Sequence, residues 1–145
     1  MANIHIVVGS VMGTALMVAE HCSALLSPRH TVRVTQNFIQ GQLNSDEVLL
    51  VCTSNTGVGD LPQTIAPLFQ HLTCDYPAIA GMRYGVINLG DSSYPSFALA
   101  GQKLDDALAD IGALRLGEPL VIDNASGEDP HVLAADWLQR WEQLL

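Results

Sequence analysis

The chain has 145 residues and 48% hydrophobic side chains, a length and composition typical of one globular domain with a sizeable core. Fifteen Asp and Glu against six Lys and Arg give a formal net charge of −9, which disfavours nucleic acid and anionic membranes as partners. No apolar run reaches the ~18 residues of a membrane span, and the amino terminus lacks a basic segment followed by an apolar one. We therefore expect a soluble, cytoplasmic protein.

The cysteines and histidines form no metal or redox motif. Cys22, Cys52 and Cys74 are odd in number and widely spaced, without a C-x-x-C pair, which is typical of a reducing compartment. We expect Cys22 and Cys52 to be small core residues. The five histidines are scattered, and we predict that most of them lie at the surface. We predict no metal site and no catalytic residue, since a G-x-S-x-G elbow and a Cys–His arrangement are also lacking.

Strand-like and helix-like segments alternate along the first half of the chain. The Ile- and Val-rich segment Asn3 to Val8 predicts a first strand, which runs directly into a loop of small residues. Apolar residues at three- and four-residue spacing then predict a helix that ends at Pro28. Its apolar face contains Ala15, Val18, Ala19, Cys22, Leu25 and Leu26. Thr31 to Val34 predicts a second strand, and Asp46 to Cys52 predicts a third that is buried on both faces.

The second half continues the alternation. Helices are predicted from about Gln63 to Leu72, from Ala98 to Ile111 and from Pro130 to Leu144, and strands from Arg83 to Leu89 and from Leu116 to Ile122. The second of these helices is expected to bury Leu99, Leu104 and Leu108 and to expose Lys103, Asp105, Asp106 and Asp110. The last helix has an apolar face made of Val132, Leu133, Trp137, Leu138, Trp141 and Leu145. This alternation predicts one α/β domain with a parallel, doubly wound sheet.

Three polar loops follow predicted strands. They are the segments Gly9 to Ala15, Thr53 to Pro62 and Gly90 to Phe97. Because the carboxyl ends of parallel strands lie at one edge of a sheet, we expect the three loops to close around a single ligand.

The residues of these loops indicate what that ligand is. The first loop offers backbone N–H groups at a helix N-terminus and the hydroxyls of Ser10 and Thr14, which favour a phosphate, but it matches neither G-x-x-x-x-G-K-[ST] nor G-x-G-x-x-G. Gly57 and Gly59 allow the backbone of the second loop to approach a ligand closely. Tyr94, between Ser93 and Pro95, either stacks on the ligand or folds back over the sheet edge. A planar phosphorylated ring fits these features.

Two of the loops resemble those of a known family. Leu89-Gly-Asp-Ser-Ser-Tyr-Pro-Ser-Phe97 is similar to the Gly-Asp-Ser-Ser-Tyr-x-x-Phe loop of short-chain flavodoxins, and Gly57-Val-Gly-Asp-Leu-Pro62 is similar to their Gly-x-Gly-Asp-x-Pro segment. The chain most resembles the MioC-like group, over its whole length and without a large insertion in the fifth strand. The resemblance implies one flavodoxin-like domain over residues 1–145, with a five-stranded parallel sheet in the order 2-1-3-4-5 flanked by helices, and FMN as cofactor.

The resemblance also implies a set of FMN-binding residues. The phosphate would be held by Ser10, Val11, Met12, Gly13, Thr14 and Ala15. One face and the N5 edge of the ring would be lined by Thr53, Ser54, Asn55, Thr56, Gly57 and Val58. The other face and the pyrimidine edge would be bordered by Gly90, Asp91, Tyr94 and Phe97. Two positions depart from the family pattern, because Met12 stands where threonine is usual and Thr56 stands where many flavodoxins have an aromatic ring.

The function implied by the resemblance is single-electron transfer. Such a carrier passes electrons from a flavodoxin reductase-type donor to an acceptor enzyme, has no substrate turnover of its own, and is expected to be a monomer whose acidic surface docks electrostatically. Two alternatives remain open: a flavodoxin-fold interaction protein with weak or lost FMN binding, and an FMN-dependent NAD(P)H reductase. A response regulator is excluded, since the positions of its acidic pair, phosphoacceptor Asp and Lys hold Gly9-Ser10, Thr53-Ser54 and Asp123-Asn124.

Overall fold

The computed structural model describes residues 2–39, 42–54, 60–93 and 98–145. Within these ranges the strands are β1 (Asn3–Gly9), β2 (Thr31–Thr35), β3 (Val48–Ser54), β4 (Arg83–Gly90), β5 (Leu114–Arg115) and β6 (Leu120–Asp123). The α-helices are α1 (Thr14–Leu26), α2 (Ala66–Gln70), α3 (Leu99–Asp110) and α4 (Pro130–Glu142). None of these helices is long and apolar enough to cross a membrane.

The strands form one parallel sheet in the order β2-β1-β3-β4-β5, and β6 also pairs with β4. The predicted doubly wound sheet and its 2-1-3-4-5 order are confirmed. The fifth strand differs from the prediction, because it is split into β5 and β6 instead of running from Leu116 to Ile122. Gly117 has a φ of +72°, and Pro119 has no N–H to donate to a neighbouring strand, so the ladder is interrupted between the two pieces.

The helix predicted from Gln63 to Leu72 is also shorter than expected at its start. The N–H groups of Ile65 and Ala66 both donate to the carbonyl of Pro62, which makes a turn of residues 63–65. Helix α2 then begins next to Pro67, a residue suited to the first turn of a helix, and it continues as a π-helical turn over His71–Asp75.

Two hydrophobic clusters fill the space on either side of the sheet. Helices α1 and α4 cover one face, where Cys22, Cys52 and both tryptophans are buried, and α2 and α3 cover the other, where Leu104 and Leu108 are buried. Three residues predicted to face the core are instead exposed: Leu25, Leu99 and Val132. All three lie in the first or last turn of a helix, where fewer neighbouring elements can cover a side chain.

Asp105 was predicted to be solvated, and this prediction is wrong. Its carboxylate is buried and accepts hydrogen bonds from Tyr84 Oη at 2.6 Å and from Arg115 Nη1 at 2.6 Å. Burial, reinforced by the Asp105 carboxylate, raises the pKa of Tyr84 well above its usual value. These bonds join α3, β4 and the short strand β5.

Four of the five histidines are partly exposed at the surface, in line with the prediction for most of them, and His5 is the exception. His5 is buried in the centre of the sheet and the other four are partly buried. His30, for example, lies between two partners: its Nδ1 accepts from the Ala2 N–H at 2.9 Å and its Nε2 contacts Glu142 at 2.8 Å. Such pairing makes partial burial of an imidazole tolerable.

Candidate functional site

The strand register brings the ends of four strands to one edge of the sheet. Gly9 pairs with Thr53 and Thr53 with Asn88, at the carboxyl ends of β1, β3 and β4. Gly90 in turn pairs with Asp123, the last residue of β6. These strands therefore end side by side, at the edge where a parallel fold of this kind is expected to bind a ligand.

The loop between β1 and α1 presents an uncapped helix N-terminus. Gly13 precedes α1 with a φ of +90°, a left-handed conformation that favours glycine, and no side chain caps the helix. The Gly13 N–H donates to Ser10 Oγ at 2.8 Å, and the Ser10 N–H donates to Thr64 Oγ1 at 3.1 Å. The helix dipole and the N–H groups of the first turn, left without a side-chain cap, make this a favourable place for an anion.

The side chains of this loop supply few polar groups. Val11 and Met12 are 58% and 89% exposed and carry no side-chain hydrogen-bond donor. Ala15 is fully buried in the core beneath α1. The groups of this loop that could donate hydrogen bonds to an anion are therefore the hydroxyls of Ser10 and Thr14 and the backbone N–H groups. All of them are neutral.

The ends of β1 and β3 are packed tightly beneath the site. The hydroxyl of the buried Thr53 donates to the Ser54 carbonyl at 3.1 Å, and Ser54 Oγ donates to the Gly9 carbonyl at 3.4 Å. A Cβ atom at Gly9 would overlap the side chains of Ile65 and Thr53. Only glycine fits there, so the floor of the site depends on Gly9 as well as on the predicted residues.

Six predicted site residues lie outside the described ranges. They are Asn55, Thr56, Gly57, Val58, Tyr94 and Phe97. The others, Ser10 to Ala15, Thr53, Ser54, Gly90 and Asp91, are brought to the same edge of the sheet.

The start of the loop after β4, residues 91–93, is held in place by two carboxylates. Asp91 Oδ1 accepts from the Ser93 N–H at 2.9 Å, and Asp123 Oδ1 accepts from the Ser92 N–H at 3.0 Å. Hydrogen bonds from Ser92, and more weakly from Ala125, lower the pKa of Asp123. Sequence analysis missed Asp123 as a site residue, because its partner lies 31 residues away and no local pattern links the two.

Acidic residues surround this edge of the sheet. They follow the strand ends or precede α4: Asp60, Asp91, Asp123, Glu128 and Asp129. The Lys103 ammonium lies 3.9 Å from Asp60 Oδ1, so one cation is also nearby. Within the described ranges, no group of three or more His, Cys, Asp or Glu side chains could hold a metal ion.

The fold and the site define a class of protein: a doubly wound α/β protein whose carboxyl edge is suited to a phosphorylated ligand. Within that class, the sequence profile of the flavodoxin family, described as "Flavodoxin", matches residues 6–137. The chain therefore belongs to the flavodoxin family, and flavodoxins bind FMN.

Similar proteins extend over nearly the whole chain. "Flavodoxin YqcA" of Pectobacterium carotovorum is 41% identical, with 100% of this chain and 98% of the relative covered. "Protein MioC" of Escherichia coli K12 is 32% identical, with 100% and 99% covered. A solved structure, a cysteine-to-serine mutant of "Flavodoxin from Pseudomonas aeruginosa", superposes with a TM-score of 0.92 at 33% identity and covers 99% of this chain and 98% of its own. The predicted likeness to MioC-like short-chain flavodoxins is confirmed.

The described part of the site fits the phosphate end of FMN. A phosphate needs several hydrogen-bond donors in a concave backbone, and the first turn of α1 offers N–H groups without a side-chain cap. The hydroxyls of Ser10 and Thr14 lie on the same loop. Neutral donors suit a dianion poorly in isolation, but a helix N-terminus supplies partial positive charge of its own.

Proposed function

We propose that this protein is an FMN-binding carrier that accepts single electrons from a reductase and passes them to an acceptor enzyme. The observation that carries the proposal is the uncapped N-terminus of α1, next to the tightly packed ends of β1 and β3, in a chain of the flavodoxin family. Bound FMN supplies one-electron chemistry. The protein's own contribution is to bind the cofactor, exclude water from it and set the charge around it.

The proposed binding residues are those that the family resemblance implies. The phosphate would be held by the segment from Ser10 to Ala15, through backbone N–H groups and the two hydroxyls. The ring would lie between the segment Thr53 to Val58 and a second set of Gly90, Asp91, Tyr94 and Phe97. The strand register supports the assignment of these three segments to one ligand. Gly9, Thr53 and Asn88 are direct neighbours in the sheet, and Gly90 ends the same strand as Asn88.

The chain is proposed to act as a single domain over residues 1–145, as a monomer without substrate turnover. A carrier needs an open cofactor edge for its partners, which favours a monomer. Cys22, Cys52 and Cys74 are free thiols, which supports a place in the reducing cytoplasm.

An FMN titration of the purified protein, followed by stepwise anaerobic reduction, tests the function. We expect saturable, red-shifted flavin absorbance and uptake of two electrons in separate one-electron steps, the second at low potential because acidic groups oppose added negative charge. An unchanged spectrum at high FMN would favour the interaction-protein alternative. Steady oxidation of NAD(P)H by the FMN-loaded protein alone would favour the reductase alternative.

Replacing Tyr94 by alanine is expected to weaken FMN binding about three- to tenfold, the effect of losing one stacking contact of about 0.5–1.5 kcal/mol. The control is Tyr76→Ala, since Tyr76 is 70% exposed and lies before β4, at the opposite edge of the sheet. The dissociation constants of both variants are measured by the same titration. Equal affinity of Tyr94→Ala and the unmodified protein would show that Tyr94 does not stack on the cofactor.

The acidic edge is proposed to dock basic surfaces of both redox partners. We expect the rate of electron transfer from a flavodoxin reductase-type donor to fall about tenfold between roughly 20 and 500 mM salt, because salt screens exposed charges. Glu128→Gln, at the site edge, should reduce this salt dependence, whereas Asp46→Asn, an exposed residue before β3, should leave it unchanged. A rate independent of salt would contradict electrostatic docking.

A further inference from the structure

The first peptide plane of the loop between β1 and α1 is held at both of its polar groups. The Ser10 N–H donates to Thr64 Oγ1 at 3.1 Å, and the Gly9 carbonyl accepts from Ser54 Oγ at 3.4 Å. These two groups belong to one planar peptide unit and point in opposite directions, so a bond at each of them fixes the orientation of the plane. Thr64 lies 54 residues from Ser10 and is not among the residues that the family resemblance places in the site.

Thr64 can hold this plane because its own backbone is anchored. It lies in the turn of residues 63–65 before α2, and its carbonyl accepts the N–H of the buried Phe38 at 3.1 Å. The next residue, Ile65, is fully buried and fills the space against Gly9 that a Cβ atom would need. The Thr64 hydroxyl therefore offers the loop an acceptor at a fixed position.

Fixing the Ser10 backbone also fixes the start of α1. Ser10 Oγ accepts the Gly13 N–H at 2.8 Å, and two residues separate them in the chain. The Gly13 carbonyl in turn accepts the Met17 N–H at 3.0 Å. Three hydrogen bonds thus connect Thr64 to the first turn of α1. The N–H groups of that turn have no partner within the helix and are the ones proposed to hold the phosphate.

We propose that Thr64 is a positioning residue for the phosphate of FMN, acting through Ser10 on the loop between β1 and α1. This inference rests on the proposed function. Thr64 keeps the loop in one conformation in the cofactor-free protein, so fewer backbone rotations have to be fixed when the phosphate binds. The loop contains no Lys or Arg, so its hold on a phosphate depends on the direction of neutral donors. Hydrogen bonds weaken steeply when that direction changes.

The test compares FMN with riboflavin, which has the same ring and ribityl chain but no phosphate. Thr64→Val keeps the shape of the side chain and removes the acceptor for the Ser10 N–H. We expect about three- to tenfold weaker binding of FMN, the change produced by losing one neutral hydrogen bond, and a change of less than about twofold for riboflavin. A general loosening of the fold would weaken both ligands equally, so the difference between them reports on the phosphate.

A second readout needs no cofactor. In the cofactor-free protein, amide hydrogen exchange at Ser10 should accelerate in Thr64→Val, because the Ser10 N–H loses its acceptor. Exchange at Gly13 should accelerate as well, since that N–H donates to Ser10 Oγ. The matched control is Thr73→Val in the π-helical turn after α2, where Thr73 Oγ1 donates to the Phe69 carbonyl. It should change neither the two affinities nor the exchange at Ser10.

A second pair of variants keeps the proposal testable if Thr64→Val does not fold. Thr64→Ser and Thr64→Ala both have smaller side chains than threonine, so neither introduces a clash, and they differ from each other only in the hydroxyl. We expect Thr64→Ser to keep the FMN affinity and the Ser10 exchange rate of the unmodified protein. Thr64→Ala should show the losses expected for valine.

The outcomes separate this proposal from the proposed function. If the unmodified protein binds FMN, unchanged FMN affinity in Thr64→Val, or in Thr64→Ala where valine does not fold, would overturn only the role of Thr64. Equal losses for FMN and riboflavin, or a loss without faster exchange at Ser10, would also overturn it, since the effect would then not pass through the phosphate loop. Absence of FMN binding by the unmodified protein would overturn the proposed function and, with it, a positioning role toward FMN.

Discussion

Replacing Trp141 by alanine is expected to lower the free energy of unfolding by about 3–5 kcal/mol, as for other large aromatic residues removed from a core. Trp141 is 2% exposed, stacks on Trp137 with ring centroids 5.5 Å apart, and occupies the space above Gly85 that a larger residue would fill. The Trp141 side chain thus packs helix α4 against strand β4. Denaturant unfolding followed by circular dichroism measures the loss.

Trp141→Phe is the control for this prediction. The indole Nε1 is buried and has no hydrogen-bond partner among the described residues, so phenylalanine removes volume but no hydrogen bond. We expect the Phe variant to lose less than half as much stability as the Ala variant. A loss below about 1 kcal/mol in Trp141→Ala would mean that α4 contributes far less to the fold than its buried area implies.

Lowering the pH from about 6.5 to about 4 is expected to remove about 2–3 kcal/mol of stability through His5. Burial, assisted by the positive charge of Arg33 and opposed by Glu47, lowers the pKa of His5 to about 4 in the folded protein. In the unfolded chain the pKa of His5 has its ordinary value near 6.5. The unfolded chain therefore binds one more proton than the folded protein between these two pH values. The contribution of neutral His5 to the free energy of unfolding is therefore fully present above about pH 6.5 and is lost as the pH falls toward 4.

Denaturant unfolding at a series of pH values from 4 to 7 measures this slope, and His5→Gln is the control. Glutamine does not titrate but can still bond the Thr35 hydroxyl, which lies 2.7 Å from His5 Nε2. The slope between pH 6.5 and 4.5 should flatten in the variant, and an identical slope would rule His5 out as its origin. Below about pH 4.5 both proteins should lose further stability, since Arg33 and Arg29 lower the pKa values of Glu47 and Glu142 in the fold.

Local patterns were enough to predict most of the architecture. The apolar runs of β1, β3 and β4 and the spacing from Ala15 to Leu26 are short-range signals, and the structure places these elements where they were predicted. The places where the strands end were predictable for the same reason, because small and polar residues directly after a buried strand can be recognised from adjacent residues. Parallel topology then brings those strand ends together, as the pairing of Gly9 with Thr53 illustrates.

The sequence by itself determined the fold class, the family and the edge of the sheet at which the cofactor site is proposed. Only the tertiary structure decided which polar residues are buried and which partners they have. The sequence pattern places Asp105 on a solvated helix face, but Arg115 and Tyr84 lie beside it in the fold. The pattern gives no sign that His5 is buried, but it lies on β1, between β2 and β3 in the sheet. Asp123 and Thr64 likewise accept hydrogen bonds from the backbone N–H groups of Ser92 and Ser10, in the loops that follow β4 and β1. The physical reason is common to all of them: burial and hydrogen bonding depend on residues distant in the chain, which no local spacing records.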